Sequence, residues 1–127
     1  MNKQILVIDD DAGIRDAFIL ALKNTEYIVD TAESGKEGIS KEQKKKYDLI
    51  FLDLKMPGMN GIEVLREIRK VNRDIPIYII TAFYKEFFEE LKAVQEEALK
   101  YELIKKPIVD EQILLVVKSV LEGPIAY

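Results

Sequence analysis

The chain contains no cysteine and no histidine. Without cysteine there can be no disulfide, no thiolate nucleophile and no cysteine zinc site. Without histidine there is no Ser-His-Asp triad, no imidazole metal ligand and no imidazole acid-base group, and the chain cannot itself carry a phosphohistidine. Long hydrophobic runs are missing as well. No window reaches the roughly eighteen consecutive apolar residues of a membrane span, and the N-terminus lacks the basic, apolar and small-residue segments of a signal sequence. Positive charge is not in excess: 19 basic residues against 23 acidic ones give a net charge of -4, which argues against nonspecific binding to nucleic acid or anionic membrane. The expectation is a soluble, cytoplasmic protein.

What is present suffices for one core. With 127 residues, 48% of them hydrophobic, a single domain is expected over 1–122, followed by a short tail at 123–127. The chain is organised around the stretch Tyr47 to Gly61, YDLIFLDLKMPGMNG. Leu49 to Leu52 are apolar without interruption, which predicts a strand buried on both faces, and the run ends on Asp53. Pro57, Gly58, Asn60 and Gly61 force a loop, and Asn60 with Glu63 has the form of a capping box. The same grammar occurs at Ile5 to Ile8, which end on Asp9, Asp10 and Asp11, and at Ile77 to Ile80, which end on Thr81 and Ala82.

Between these runs the spacing predicts helices. Ile14, Ala17, Phe18, Ala21 and Leu22 mark a first helix over about 13–24. Tyr27 to Ala32 read as a strand, and Ser34 with Glu37 as a second capping box opening a helix to about Lys45. Ile62, Leu65 and Ile68 stripe a third helix. A long fourth helix is predicted from about Lys85 to Lys100, a short strand at Leu103 and Ile104, and a last helix from the cap Asp110 to Leu121, stopped by Gly123 and Pro124. Five strands alternating with five helices predict an α/β, doubly wound parallel sheet. In such sheets ligands sit outside the carboxyl ends of the strands, so the polar strand endings should face one crevice.

The motifs ILVIDDD at 5–11, LIFLDLKMPGMNG at 49–61, YIITA at 78–82 and KKP at 105–107, in this order, resemble the receiver domains of bacterial two-component response regulators over about residues 3–121. Among them the chain looks most like single-domain intermediates of sporulation phosphorelays. The resemblance implies a flavodoxin-like five-stranded sheet of order 2-1-3-4-5, which would bring Asp9, Asp10 and Asp53 within a few ångströms. At about 4 Å and an effective dielectric near 20, each carboxylate pair repels by roughly 4 kcal/mol, so a hard divalent cation is expected, Mg²⁺ first and Mn²⁺ second.

By resemblance Asp53 is the phosphoacceptor, taking a phosphoryl group from a sensor histidine kinase or phosphotransfer protein. Asp10 matches the direct metal ligand, Asp9 the acid that holds the metal through water, and the Lys55 carbonyl a backbone ligand. Thr81 and Lys106 match the groups that bind the phosphoryl oxygens, with Ala82 leaving room for them, and the resemblance raises the expectation of a cis Lys106–Pro107 bond. An output protein or domain would bind the face built from the fourth helix, fifth strand and fifth helix. Such a chain catalyses only its own phosphorylation and dephosphorylation.

The sequence departs from the family in two places. Leu103 stands where an aromatic switch residue is usual, with Tyr101 nearby, and the span from Thr81 to Lys106 is longer than usual by close to one helical turn. The segment FYKEFFEE after Ala82 offers Phe83, Tyr84, Phe87 and Phe88 to the core or to a partner. Lys55 and Phe83, each two residues past a site residue, are expected to lean over the crevice mouth and lengthen the phosphoryl lifetime. The alternative reading is a Mg²⁺-dependent phosphohydrolase with an Asp nucleophile. Such enzymes of the haloacid-dehalogenase type want a second Asp two residues after the first, where this chain has Lys55. Nucleotide or flavin binding would want a glycine-rich phosphate loop after the first strand, and there is none.

Overall fold

Continuous apolar runs of four or five residues have no polar face to offer water, so the central strands must be covered on both sides. The computed structural model, which describes residues 2–123, is built in that way. Five parallel strands, β1 (Gln4–Ile8), β2 (Ile28–Ala32), β3 (Leu49–Asp53), β4 (Ile77–Thr81) and β5 (Glu102–Lys105), lie in the order β2-β1-β3-β4-β5. They alternate with α1 (Ala12–Leu22), α2 (Gly35–Lys44), α3 (Gly61–Val71), α4 (Phe88–Glu96) and α5 (Asp110–Glu122). The expected fold class is the one observed.

Alternate residues along each strand feed two separate cores. Ile5, Val7, Leu49, Phe51 and Ile80 meet Phe18 and Leu22 of α1 and Ile113 and Val117 of α5. Leu6, Ile8, Ile50, Leu52, Ile77 and Ile79 meet the other layer, including Leu65 and Ile68 of α3 and Leu91 and Val94 of α4. Every residue of β3 is buried, whereas β2 and β5 form the edges and are partly exposed. Among the described residues no helix is long and apolar enough to cross a membrane.

Several expected boundaries move, each for a local reason. The α4 helix has nine residues rather than the span from Lys85 to Lys100. Its N-cap, Phe87, has no side-chain acceptor, so residues 84–87 stay in a turn, and Ala98 with φ 61 ends it in the left-handed region. Asp110 is the first residue of α5 and not its cap. The cap is Val109, whose N–H donates to Gln112 Oε1 at 3.0 Å. The box at α2 is half formed. Ser34 Oγ accepts from the Glu37 N–H at 3.1 Å, while the Glu37 carboxylate turns to Lys41 at 3.2 Å. The box at α3 is complete: Asn60 Oδ1 accepts from the Glu63 N–H and Glu63 Oε1 from the Asn60 N–H. The Lys106–Pro107 bond is cis. Apart from Gly123, the expected tail and the helix stop at Pro124 lie outside the described residues.

The start of α3 is pressed against the end of β3. The Gly61 N–H donates to the Leu54 carbonyl at 2.8 Å, and a Cβ on Gly61 would come within 2.3 Å of the Asp53 carbonyl oxygen. The obstructing atoms, the Asp53 carbonyl oxygen and the Leu54 Cα, are backbone, so neither can rotate away. Gly61→Ala should therefore cost about 1–3 kcal/mol in urea melts. A loss below about 0.5 kcal/mol, the level of an ordinary surface change, would mean that this junction has slack.

Candidate functional site

The parallel register brings three strand ends together. Ile8 pairs with Leu52, so Asp9 and Asp53 leave neighbouring strands side by side. Thr81 closes β4, and the Lys106 N–H donates to the Thr81 carbonyl at 2.9 Å, which extends the β4–β5 ladder by one residue and carries the lysine to the same edge. Carboxylate oxygens of Asp9, Asp10 and Asp53 lie within 4.8 Å of one another. Asp9 and Asp53 are buried, and Asp10 is exposed.

Lys106 is the ammonium in the cluster. Its Nζ lies 3.1 Å from Asp9 Oδ2 and 3.4 Å from Asp53 Oδ1. Only the first contact has hydrogen-bond geometry, so Asp53 Oδ1 is buried without a hydrogen-bond partner. Asp9 is better supported: its Oδ1 accepts from the Asp11 N–H at 2.9 Å, and its carbonyl accepts from Arg15 Nη1 at 2.8 Å. The remaining acid of the run, Asp11, caps α1 by accepting from the Gly13 N–H at 2.8 Å.

The protonation equilibria register this crowding. Burial, then the neighbouring Asp9 charge, push the Asp53 carboxyl up to about 6 against the opposing pull of Lys106. Burial also raises Asp9, with the Asp11 N–H and Lys106 working against it. Burial alone would lower Lys106, but Asp9 and Asp53 hold it above its ordinary value. Three carboxylates against one ammonium, an orphaned carboxylate oxygen and an all-oxygen donor set suit a hard divalent cation held by Asp9, Asp10 and Asp53.

The cluster opens into a cleft of about 530 Å³ lined by Asp10, Asp53, Lys55, Met56, Phe83 and Lys106, among others. Lys55 and Phe83 meet across it. The Lys55 ammonium sits 4.4 Å from the Phe83 ring centroid and 3.3 Å from Glu86 Oε2, and Phe83 is 44% exposed. Thr81 is fully buried, and its Oγ1 accepts from the Phe83 N–H at 2.8 Å. The structure does not gather every expected residue here. Ala82 is exposed on the bend after β4 and does not line the cleft, Leu103 sits on the edge strand, and Tyr101 lies toward the opposite end of the sheet with its hydroxyl donating to the Leu91 carbonyl. Sequence reasoning did not single out Arg15 or Glu86. The only cue for Arg15 was a basic residue one turn after the cap Asp11, and Glu86 gave none among four other acids nearby.

The model of the response regulator receiver domain matches residues 5–118. The chain belongs to the response regulator receiver domain family. The transcriptional regulatory protein ResD of Bacillus subtilis is 43% identical over 119 residues, covering 93% of this chain and 48% of ResD. Response regulator ArlR of Staphylococcus aureus is 35% identical over 118 residues, covering 93% of this chain and 52% of ArlR. The receiver thus spans about half the length of these relatives. Among solved structures, the chemotaxis protein CheY4 of Vibrio cholerae superposes with a TM-score of 0.82 at 31% identity, over 95% of this chain and all of that one. The regulator TrrA of Thermotoga maritima, solved in complex with Mg²⁺-BeF, superposes with a TM-score of 0.77 at 35% identity, over 94% of this chain and 99% of TrrA. A receiver is a phosphoacceptor signalling domain, and the phosphohydrolase alternative is not favoured.

In the metal-free receiver the raised carboxyl has a measurable cost. Asp53 has a folded pKa of about 6 against 3.8 for the free group, so between these values the native state holds a proton that the unfolded chain has lost. Stability should fall as pH rises through that window, by up to about 3 kcal/mol from Asp53, and this loss should be complete above it. Asp53→Asn should remove most of the decline, Asp9 keeping a part because it shifts in the same direction. Urea melts with chelator at about pH 4 and about pH 7 check this. An identical pH dependence in the two proteins contradicts the buried-carboxylate account.

Proposed function

We propose that Asp53 accepts a phosphoryl group from a phosphohistidine on a sensor histidine kinase or phosphotransfer protein, and that the phosphorylated receiver binds its output partner differently. The supporting observation is Asp53 Oδ1, a buried oxygen without a hydrogen-bond partner on a carboxylate that lines the cleft. An Asp53 oxygen forms a bond to phosphorus as the phosphorus–nitrogen bond to the partner's imidazole breaks, and the imidazole leaves with that electron pair. Asp53 is ionised above about pH 6 and is therefore a competent nucleophile at neutral pH.

Asp9, Asp10, Asp53 and the Lys55 carbonyl would hold Mg²⁺, or Mn²⁺ in its place, and the ion when bound supplies positive charge to the carboxylates and to the phosphoryl oxygens. Lys106, already 3.4 Å from Asp53, pairs with a phosphoryl oxygen as a point charge. Thr81 exchanges its contact with the Phe83 N–H for a hydrogen bond to that group. Incubation with a small phosphodonor and Mg²⁺, followed by mass spectrometry, should give one phosphoryl adduct, lost in Asp53→Ala and lost with chelator. Labelling that survives Asp53→Ala rules out the assignment.

The partner face combines α4, β5 and α5, each of which exposes a large apolar side chain: Phe88, Leu103 and Leu115. Leu103 takes the outward position usually given to an aromatic, while the Tyr101 hydroxyl is engaged by Leu91, so Leu103 is the side chain free to report the state of the site.

Lys55 and Phe83 lengthen the life of the adduct. Hydrolysis needs a water in line with the bond being broken, and the Lys55 ammonium over the Phe83 ring, both lining the cleft, would narrow that approach. Lys55→Asn and Phe83→Ala should each shorten the phosphoryl half-life several-fold at saturating Mg²⁺. Unchanged half-lives in both would show that neither residue shields the bond.

A further inference from the structure

The helix α3 touches the carboxylate cluster at one end and the connection between α4 and β5 at the other. Its first residue, Gly61, is in tight backbone contact with Asp53. Its inward residues Ile62, Val64, Leu65 and Ile68 are all buried, so the helix, about 16 Å long, is held as one piece. From its middle and its last turn two arginines reach out. Arg66 grips Glu97 with both prongs, Nε to Oε1 at 3.2 Å and Nη2 to Oε2 at 2.7 Å. Arg69, buried, donates to the Lys100 carbonyl through Nε at 3.1 Å and Nη2 at 2.7 Å, and to the Asn72 carbonyl through Nη1 at 3.2 Å.

The turn they hold is strained. Between Glu97 and Lys100 lies Ala98 at φ 61, a conformation that residues with a Cβ rarely adopt and that persists only where the surroundings impose it. Beside the turn is a cavity of about 640 Å³, lined by Arg69, Ile75, Tyr78, Ala98, Leu99 and Tyr101 among others. The turn therefore has two tethers, a strained hinge and space to move into. These features sit at the amino ends of β4 and β5, at the other end of the sheet from Asp53.

We infer that Arg66 and Arg69 are positioning residues that make α3 a lever, so that occupation of the carboxylate cluster shifts the turn at 97–101 and with it the edge strand β5. This rests on the reading of Asp53 as the phosphoacceptor. The close backbone contact at Gly61 passes a small displacement of the β3 end to the whole helix, and the two guanidinium groups deliver it to Glu97, the C-cap of α4, and to the Lys100 carbonyl, two residues before β5. The route does not pass through Thr81 or the segment after it.

The test uses Mg²⁺ with beryllium fluoride as the phosphoryl mimic, and hydrogen exchange read by mass spectrometry at 97–102, with 83–88 as the internal reference. In the wild type both segments should change exchange rate on addition of the mimic. In Arg66→Ala/Arg69→Lys the response at 97–102 should fall at least about threefold, while the response at 83–88 and the affinity for the mimic stay within about twofold of wild type. Arg66→Ala alone alters only a surface side chain and should give an intermediate loss, which keeps the test decisive if the Arg69 variant fails to fold. An undiminished response at 97–102 in every folded variant, or none in a wild type that binds the mimic, overturns the lever. A wild type that does not bind the mimic at all instead overturns the phosphoacceptor reading, and the lever with it.

Discussion

Two buried carboxylates share one ammonium, and most of the structure can be understood as what keeps them together. At separations near 4 Å such like charges repel by roughly 4 kcal/mol a pair even at an effective dielectric of 20. Lys106, 3.1 and 3.4 Å from the two acids, offsets that repulsion but not their loss of water, which is the first cause of their raised carboxyls. The two cores on either side of β1 and β3 outweigh this cost, because all the apolar residues of these strands after Gln4 are buried and cannot change register without exposing a whole face. The acids stay crowded since every way of separating them unpacks a strand.

Each layer of the fold takes hold of this cluster by a different atom. The α1 segment supports Asp9 through the Asp11 N–H and Arg15. The β3–α3 junction supports Asp53 from below through Gly61. From the β4 side, Thr81 and Phe83 are joined by a hydrogen bond, and Lys106 enters from β5 on the way to α5. A charge that arrives at the centre is therefore felt by helices on both faces of the sheet. Most of these attachments are short contacts to backbone groups, which leaves little slack.

The fold and the centre of the site were legible in the sequence because they rest on the strongest local signals. Uninterrupted apolar runs ending on acids read the same way whatever surrounds them, and Asn60 with Glu63 needed only the three-residue spacing of a capping box. The boundaries of α4 were not legible. The stretch from Lys85 to Lys100 has helix-forming residues throughout, yet Phe87 offers no cap and Ala98 takes a left-handed conformation that nothing in an alanine announces. Asp110 misled for the opposite reason: a good capping residue stands one place past the cap, where an acid is still welcome in the first turn. Arg15 and Arg69 were invisible because they bind carbonyl oxygens, and a backbone acceptor leaves no mark in a sequence.

The edges of the sheet have a consequence outside signalling. Any open parallel sheet leaves two rows of unpaired backbone groups, which are templates for association between copies of the same chain. Here one edge carries Asp30 in the middle of β2, and the other carries Glu102 and Lys105 at the two ends of a four-residue β5. A second molecule laying its β2 alongside this one would set carboxylate against carboxylate, and β5 is too short and too charged to guide a fibril. The sheet is therefore protected from growing by one more strand, even with large apolar side chains exposed elsewhere on the surface.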